Sequence, residues 1–104
     1  MSDSDALTIQ GFQRLIRERY YATDSARGTA GTFMWFIEEV GELATALQVH
    51  ARAKPSSEAD RQNLAEEFSD VFAWLCTLAN ISGVDLAQAC RKYTESGRVQ
   101  GVKD

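Results

Sequence analysis

Apolar residues recur along the chain at spacings of three and four, the period of an amphipathic helix, and nowhere in the alternating pattern of a strand. Ile9, Phe12, Leu15, Ile16 and Tyr20 predict a first helix with Thr8 as its N-cap. The polar stretch Ala22 to Gly31 predicts a loop. Thr32 then predicts the cap of a second helix, reaching about Ala53, with Phe33, Phe36, Ile37, Val40, Leu43, Ala44 and Leu47 as its apolar stripe. Lys54-Pro55-Ser56-Ser57-Glu58 breaks it, and Ser57 with Asp60 forms a capping box for a third. That helix turns Leu64, Phe68, Val71, Phe72, Leu75, Leu78 and Ala79 inward and ends at Ser82-Gly83. Asp85, with Gln88 three residues on, caps a fourth helix that stops near Gly97. The expectation is an all-α, four-helix bundle-like fold in one domain, residues 1–104, with two long central helices and frayed ends at 1–7 and 99–104.

Charge changes this picture. Glu38-Glu39-Val40-Gly41-Glu42 is answered 24 residues after Glu42 by Glu66-Glu67-Phe68-Ser69-Asp70, and both blocks place acids on one helical face. No Lys or Arg occurs from Gly28 to Ala51 or from Gln62 to Cys90. Like charges at i,i+4 destabilise a helix by a few tenths of a kcal/mol, so solvated acids are ordinarily interleaved with bases. At ~100° per residue, Glu39 falls at the edge of the apolar stripe with Glu42 and Trp35 just beyond it, and Glu67, Asp70 and Trp74 share the flank of the third helix. Antiparallel packing, favoured by the short connection, sets the two acid pairs face to face. Gly41, in mid-helix, suggests a close approach there, because Gly costs roughly 1 kcal/mol relative to Ala at such a position.

Two clusters that repel themselves and lack bases imply a cation. Four carboxylates offer hard oxygen donors, which suit Mg²⁺ or Mn²⁺ and not Zn²⁺. The lone His50 has Leu47 three residues before it, so the Glu-x-x-His pairs of a di-iron bundle are missing. Mg²⁺ on carboxylates keeps positions for water and phosphates, and a further acid, Glu38 or Glu66, can take a proton from that water. The tryptophans are of a kind to stack on a base, or to pack in a core or interface.

Composition bounds the rest. The 104 residues are 44% hydrophobic with net charge −4, which excludes wholesale disorder and lacks the basic face of a nucleic-acid binder. Cys76 and Cys90 form no metal or redox motif. Neither a signal sequence nor a membrane-spanning stretch is evident, and a cytoplasmic location is expected.

The acid blocks Glu38-Glu39-x-x-Glu42 and Glu67-x-x-Asp70 resemble the signature of the MazG-like all-α nucleoside triphosphate pyrophosphohydrolases. The likeness extends to Phe12-Gln13, Arg27-Gly28, Thr32-Phe33-x-Trp35, Leu78-Ala79-Asn80, Asp85-Leu86 and Lys92-Tyr93. It implies Mg²⁺-dependent cleavage of a (d)NTP between its α- and β-phosphates to the monophosphate and pyrophosphate. By position it implies Glu39, Glu42, Glu67 and Asp70 as metal ligands, with Glu38 and Glu39 in the catalytic network. Lys92, Tyr93 and Arg27 would lie near the substrate, with Trp35, Trp74 and Asn80 as further binding residues. A homodimer or homotetramer is implied as well. Some relatives carry a Cys-rich tail after the Lys-Tyr pair; here Thr94 to Arg98 has no cysteine. The same superfamily holds dUTPases and phosphoribosyl-ATP pyrophosphohydrolases, and a non-catalytic helical interaction module is the alternative outside enzymes. The bare reading of the acids as a solubility face conflicts with their missing bases and their position beside the core.

Overall fold

The computed structural model describes residues 7–52 and 54–95, and everything it describes is helix, turn or connection. Helix α1, Ile9–Arg52, is two helical segments joined at Gly28; α2 is Glu58–Ile81; α3 is Leu86–Ala89, continued as a 3₁₀ turn, Cys90–Tyr93. The frame is the all-α one the spacing predicts.

The caps sit where the sequence placed three of them. The Thr8 hydroxyl accepts the Gly11 N–H at 2.9 Å, Ser57 accepts from Asp60 at 3.0 Å, and Asp85 accepts from Gln88 at 3.1 Å. Glu58 and Asp60 complement the positive end of α2. At its other end the Val84 N–H reaches Ala79 O (2.9 Å) and the Gly83 N–H reaches Asn80 O (3.3 Å), with Gly83 at φ 70° supplying the left-handed residue such a closure needs.

Four expectations change. The loop from Ala22 to Gly31 is a break of one residue: helix runs up to Gly28, which takes φ 83° and ψ 172°, and resumes at once. Thr32 is therefore no cap. It is fully buried in the second segment, its hydroxyl accepting from Arg27. The polar residues before Gly28 stay helical because their partners are supplied from elsewhere, Asp24 by Thr77 of α2 and by Arg27. Next, the fourth helix has four residues before it tightens into the 3₁₀ turn, a common way for a short helix to end. Among the described residues, a Cβ on Gly41 would meet nothing within 4 Å beyond its own helix backbone, so the close approach expected there is not made within them. Finally, much of the stripe expected inside faces solvent, Phe33 at 50%, Ile37 at 48% and Phe68 at 53%. Ala53, Gly97 and, apart from Leu7, the ends expected to fray lie outside the described residues.

The second segment of α1 and α2 form an antiparallel hairpin across residues 53–57, in a register that brings Trp35 onto Trp74. The first segment crosses this hairpin. Phe12 and Arg27 are about 22 Å apart along their helix, yet both touch the stretch of α2 between Phe72 and Asn80, about 12 Å long. Phe12 stacks on Phe72 (5.4 Å between centroids), and Ile16, Cys76 and Ala79 are buried around the crossing. Gln13 pins one end: its amide nitrogen donates to Asn80 (3.0 Å) and to Val84 O (2.7 Å), and its oxygen accepts the Leu86 N–H (2.9 Å). The α1–α2 corner is thus closed by hydrogen bonds and the crossing by apolar contact. Among the described residues, no single helix is long and apolar enough to cross a membrane.

At its φ and ψ, Gly28 occupies a region essentially reserved for glycine, and a Cβ there would meet no atom within 4 Å. The cost of Gly28→Ala is therefore conformational, about 1–3 kcal/mol. It should appear as a lower urea midpoint with an unchanged slope. An unchanged midpoint would mean that the chain does not hold this break.

Candidate metal centre

The hairpin register carries the acids with it. Trp35 and Glu39 are one turn apart on α1, Asp70 and Trp74 one turn apart on α2, and the Trp35–Trp74 stack (6.3 Å, 15° between planes) closes one side of the acid cluster. One carboxylate oxygen each from Glu39, Glu67 and Asp70 lie within 4.8 Å of one another. Glu39 and Glu67 are partly buried, and Oε2 of each is shut off from solvent without a hydrogen-bond partner. Buried carboxylate oxygens are ordinarily satisfied, so these two are an unmet demand for a donor or a cation.

Electrostatics registers the same demand. Burial raises the Glu39 carboxyl from 4.5 to about 7, helped by the approach of the Glu42 carboxyl and by the charges of Glu42, Asp70 and Glu67. Glu67 is raised as well, by burial first and then by Glu42, Asp70 and Glu66. Glu42 thus stands within reach of both inner carboxyls, though outside the trio. Glu38 and Glu66 are exposed and stand outside the trio, although the charge of Glu66 acts on Glu67. A divalent cation fits the donor set, since every donor is a carboxylate oxygen and two lack any other partner.

Other residues singled out in the sequence fall in two places. Arg27 and Trp74 belong to a cleft of about 380 Å³ beside the acids, whose walls are Ile16, Tyr20, Thr23, Asp24 and Arg27 on one side and Asp70, Ala73, Trp74 and Thr77 on the other. The size suits a nucleoside-sized ligand. Asn80 is at the opposite corner, bonded to Gln13 and facing a separate depression of about 290 Å³. Lys92 and Tyr93 lie on the 3₁₀ turn that continues α3, beyond the end of α2, which is itself about 16 Å along the axis from Asp70. There the Lys92 ammonium sits over the Tyr93 ring at 5.2 Å. Within one chain, neither of these two nor Asn80 is brought to the acids.

Tyr20, Asp24 and Thr77 were missed from the sequence. Asp24 and Arg27, three apart, were a legible pair; Thr77, inside Leu75 to Ala79, was legible as a hydroxyl in an apolar run.

The family model of the MazG nucleotide pyrophosphohydrolase domain matches residues 28–96. The chain belongs to the MazG family. No curated protein matches it. The MazG match covers all six acids of the two blocks, together with Trp35 and Trp74, and it begins at the glycine that breaks α1. The wall formed by Ile16 to Arg27 precedes it.

Proposed function

We propose that this MazG domain is a Mg²⁺-dependent nucleoside triphosphate pyrophosphohydrolase that cleaves (d)NTPs between the α- and β-phosphates. The observation that carries the reading is the carboxylate trio with its two partnerless buried oxygens, opening beside a nucleoside-sized cleft. Glu39, Glu67 and Asp70 would hold the ion, with Glu42 as a fourth ligand. Bound Mg²⁺ supplies charge to neutralise phosphate oxygens and lowers the pKa of a coordinated water. The chain's own part is positional and protolytic. The trio fixes where the phosphates lie, the cleft takes the nucleoside end, and the exposed Glu38 is an accessory acid at the rim. Without the ion the Glu39 carboxyl is raised to about 7, so near neutral pH it would give up its proton as the cation binds.

The decisive assay is pyrophosphate release from a panel of (d)NTPs, modified bases and dUTP included, together with phosphoribosyl-ATP, with Mg²⁺ or Mn²⁺. At least one should turn over, and only with metal. No turnover of any would overturn the enzyme reading in favour of a helical interaction module. A nucleotide-pool role of this kind belongs in the cytoplasm.

The exposed apolar residues of the hairpin support self-association as a homodimer or homotetramer. Phe33, Met34 and Ile37 on α1, with Phe68 and Leu75 on α2, are large apolar side chains left exposed on two packed helices, as residues covered by a second copy would be. Light scattering should give at least twice the 11.5 kDa chain mass, and Met34→Glu should lower it. A wild-type mass of one chain would remove this part of the proposal.

A further inference from the structure

The cleft beside the metal centre has two walls of different origin. The wall bearing Asp70 and Trp74 lies inside the family match, whereas the one bearing Asp24 and Arg27 lies before it. Of these, Arg27 belongs to the motifs that resemble the family, whereas Asp24 lies outside both those motifs and the match. Asp24 is 4% exposed, and both its oxygens are engaged: Oδ1 accepts Arg27 Nη1 at 3.1 Å, and Oδ2 accepts the Thr77 hydroxyl of α2 at 3.0 Å. Arg27 Nη1 also donates to Thr32 Oγ1 at 3.3 Å, across the break at Gly28. Its guanidinium carbon lies 5.2 Å from the centre of the Trp74 ring. The stem is accommodated too. A Cβ on Gly31 would come within 2.9 Å of Arg27 Cγ, so the absence of a side chain there leaves the arginine its path.

A buried ion pair adds little net stability over an apolar replacement of the same shape, so these contacts call for a use other than stability. They fix the guanidinium by one corner. Both of its hydrogen bonds go through Nη1, and Nε and Nη2 make none among the described residues. The family resemblance already sets Arg27 near the substrate; we infer that Asp24 is its positioning residue, pinning the guanidinium by Nη1 so that Nε and Nη2 are left to donate to acceptor oxygens of the nucleotide. The inference rests on the pyrophosphohydrolase reading and adds the residue that positions Arg27. Arg rather than Lys suits the task, because a planar fork keeps its remaining donors aimed once one corner is pinned.

The test is steady-state kinetics on the best nucleotide of the panel, using the full chain with Mg²⁺. Wild-type turnover settles the underlying reading separately, before any variant is compared. Arg27→Ala should raise KM by about tenfold or more, the usual loss for a hydrogen bond to a charged group. Asp24→Asn and Gly31→Ala should each raise KM several-fold and lower kcat less. In all three, the Mg²⁺-induced rise in Tm should stay as in the wild type, showing an intact fold and metal centre. Because Asp24 acts through Arg27, Asp24→Asn should change KM by less than about twofold in the Arg27→Ala background. An equal effect in both backgrounds would overturn the positioning role, and a wild-type KM in Arg27→Ala would overturn the recognition role. Should Asp24→Asn fail to fold, Gly31→Ala, which removes no polar group, carries the positioning test by the same cycle. Competition by nucleoside monophosphate and by inorganic tripolyphosphate locates the contacted oxygens. Arg27→Ala weakens the first alone if they lie on the base or sugar, and both if they lie on the phosphates. Wild-type inhibition by both would again overturn the inference.

Discussion

Glu67→Gln should abolish pyrophosphate release while leaving a helical protein that, without metal, melts at a higher temperature than the wild type. The two halves of this result have one cause. Glu67 contributes an oxygen to the trio and owns one of the two buried oxygens without a partner. The amide keeps the shape of the side chain and removes the charge, so the cation loses one of its ligands. Replacing a mere outer-shell partner of a metal ligand costs about 10–100-fold, and loss of a ligand should exceed the top of that range in kcat/KM. Without metal the same charge is a burden, because Glu42, Asp70 and Glu66 all press the Glu67 carboxyl towards its neutral form. Removing it relieves that repulsion. Asp70→Asn should behave alike in activity. Circular dichroism and a melting curve in EDTA, beside the activity assay, check both halves. Full activity in Glu67→Gln would remove the residue from the centre. Loss of activity through unfolding would make the acid structural instead.

The parts of this design that were legible in the sequence are those that depend on spacing within one helix. Periodicity placed the hairpin, and helical phase put Glu39, Glu67 and Asp70 on facing flanks, where the register of the Trp35–Trp74 stack joins them. What was illegible depends on partners remote in sequence. The residues from Ala22 to Arg27 look like a loop because they are polar, and they are helix because Thr77, 53 positions after Asp24, supplies a hydrogen bond. The cleft could not be seen for the same reason, since its walls come from segments that meet only by crossing. Exposure of Phe33 and Phe68 was also invisible, because a stripe marks what wants to be covered and not what covers it. Lys92 and Asn80 share the family's motifs, but motif order along the chain says nothing of distance from Asp70, and α2 carries Asn80 to its far corner.

Metal should invert the pH dependence of stability. In the metal-free protein the Glu39 carboxyl titrates at about 7, against 4.5 in an ordinary environment. Between those values the folded state binds more protons than the unfolded chain, so stability falls as pH rises. The stabilisation from the proton is fully present below pH 4.5 and gone above 7. Glu67, raised for the same reasons, adds to the decline. A divalent cation replaces the proton. It binds the ionised carboxylates, must displace whatever proton they hold, and stabilises the fold by RT ln(1 + [M]/Kd) with a Kd that falls as the carboxyls ionise. Melting curves from pH 5 to 8 should therefore diverge. In EDTA the Tm declines with pH, at saturating Mg²⁺ it holds or rises, and the gap widens through pH 7. Calorimetry of Mg²⁺ binding in buffers of different ionisation enthalpy should show proton release at pH 6 and little at pH 8. Glu39→Gln, which has no such proton to lose, should flatten the EDTA curve. Parallel curves with and without metal, or an undiminished slope in Glu39→Gln, would mean that the acids do not share a cation, since a common ion is what ties the loss of their protons to the gain in stability.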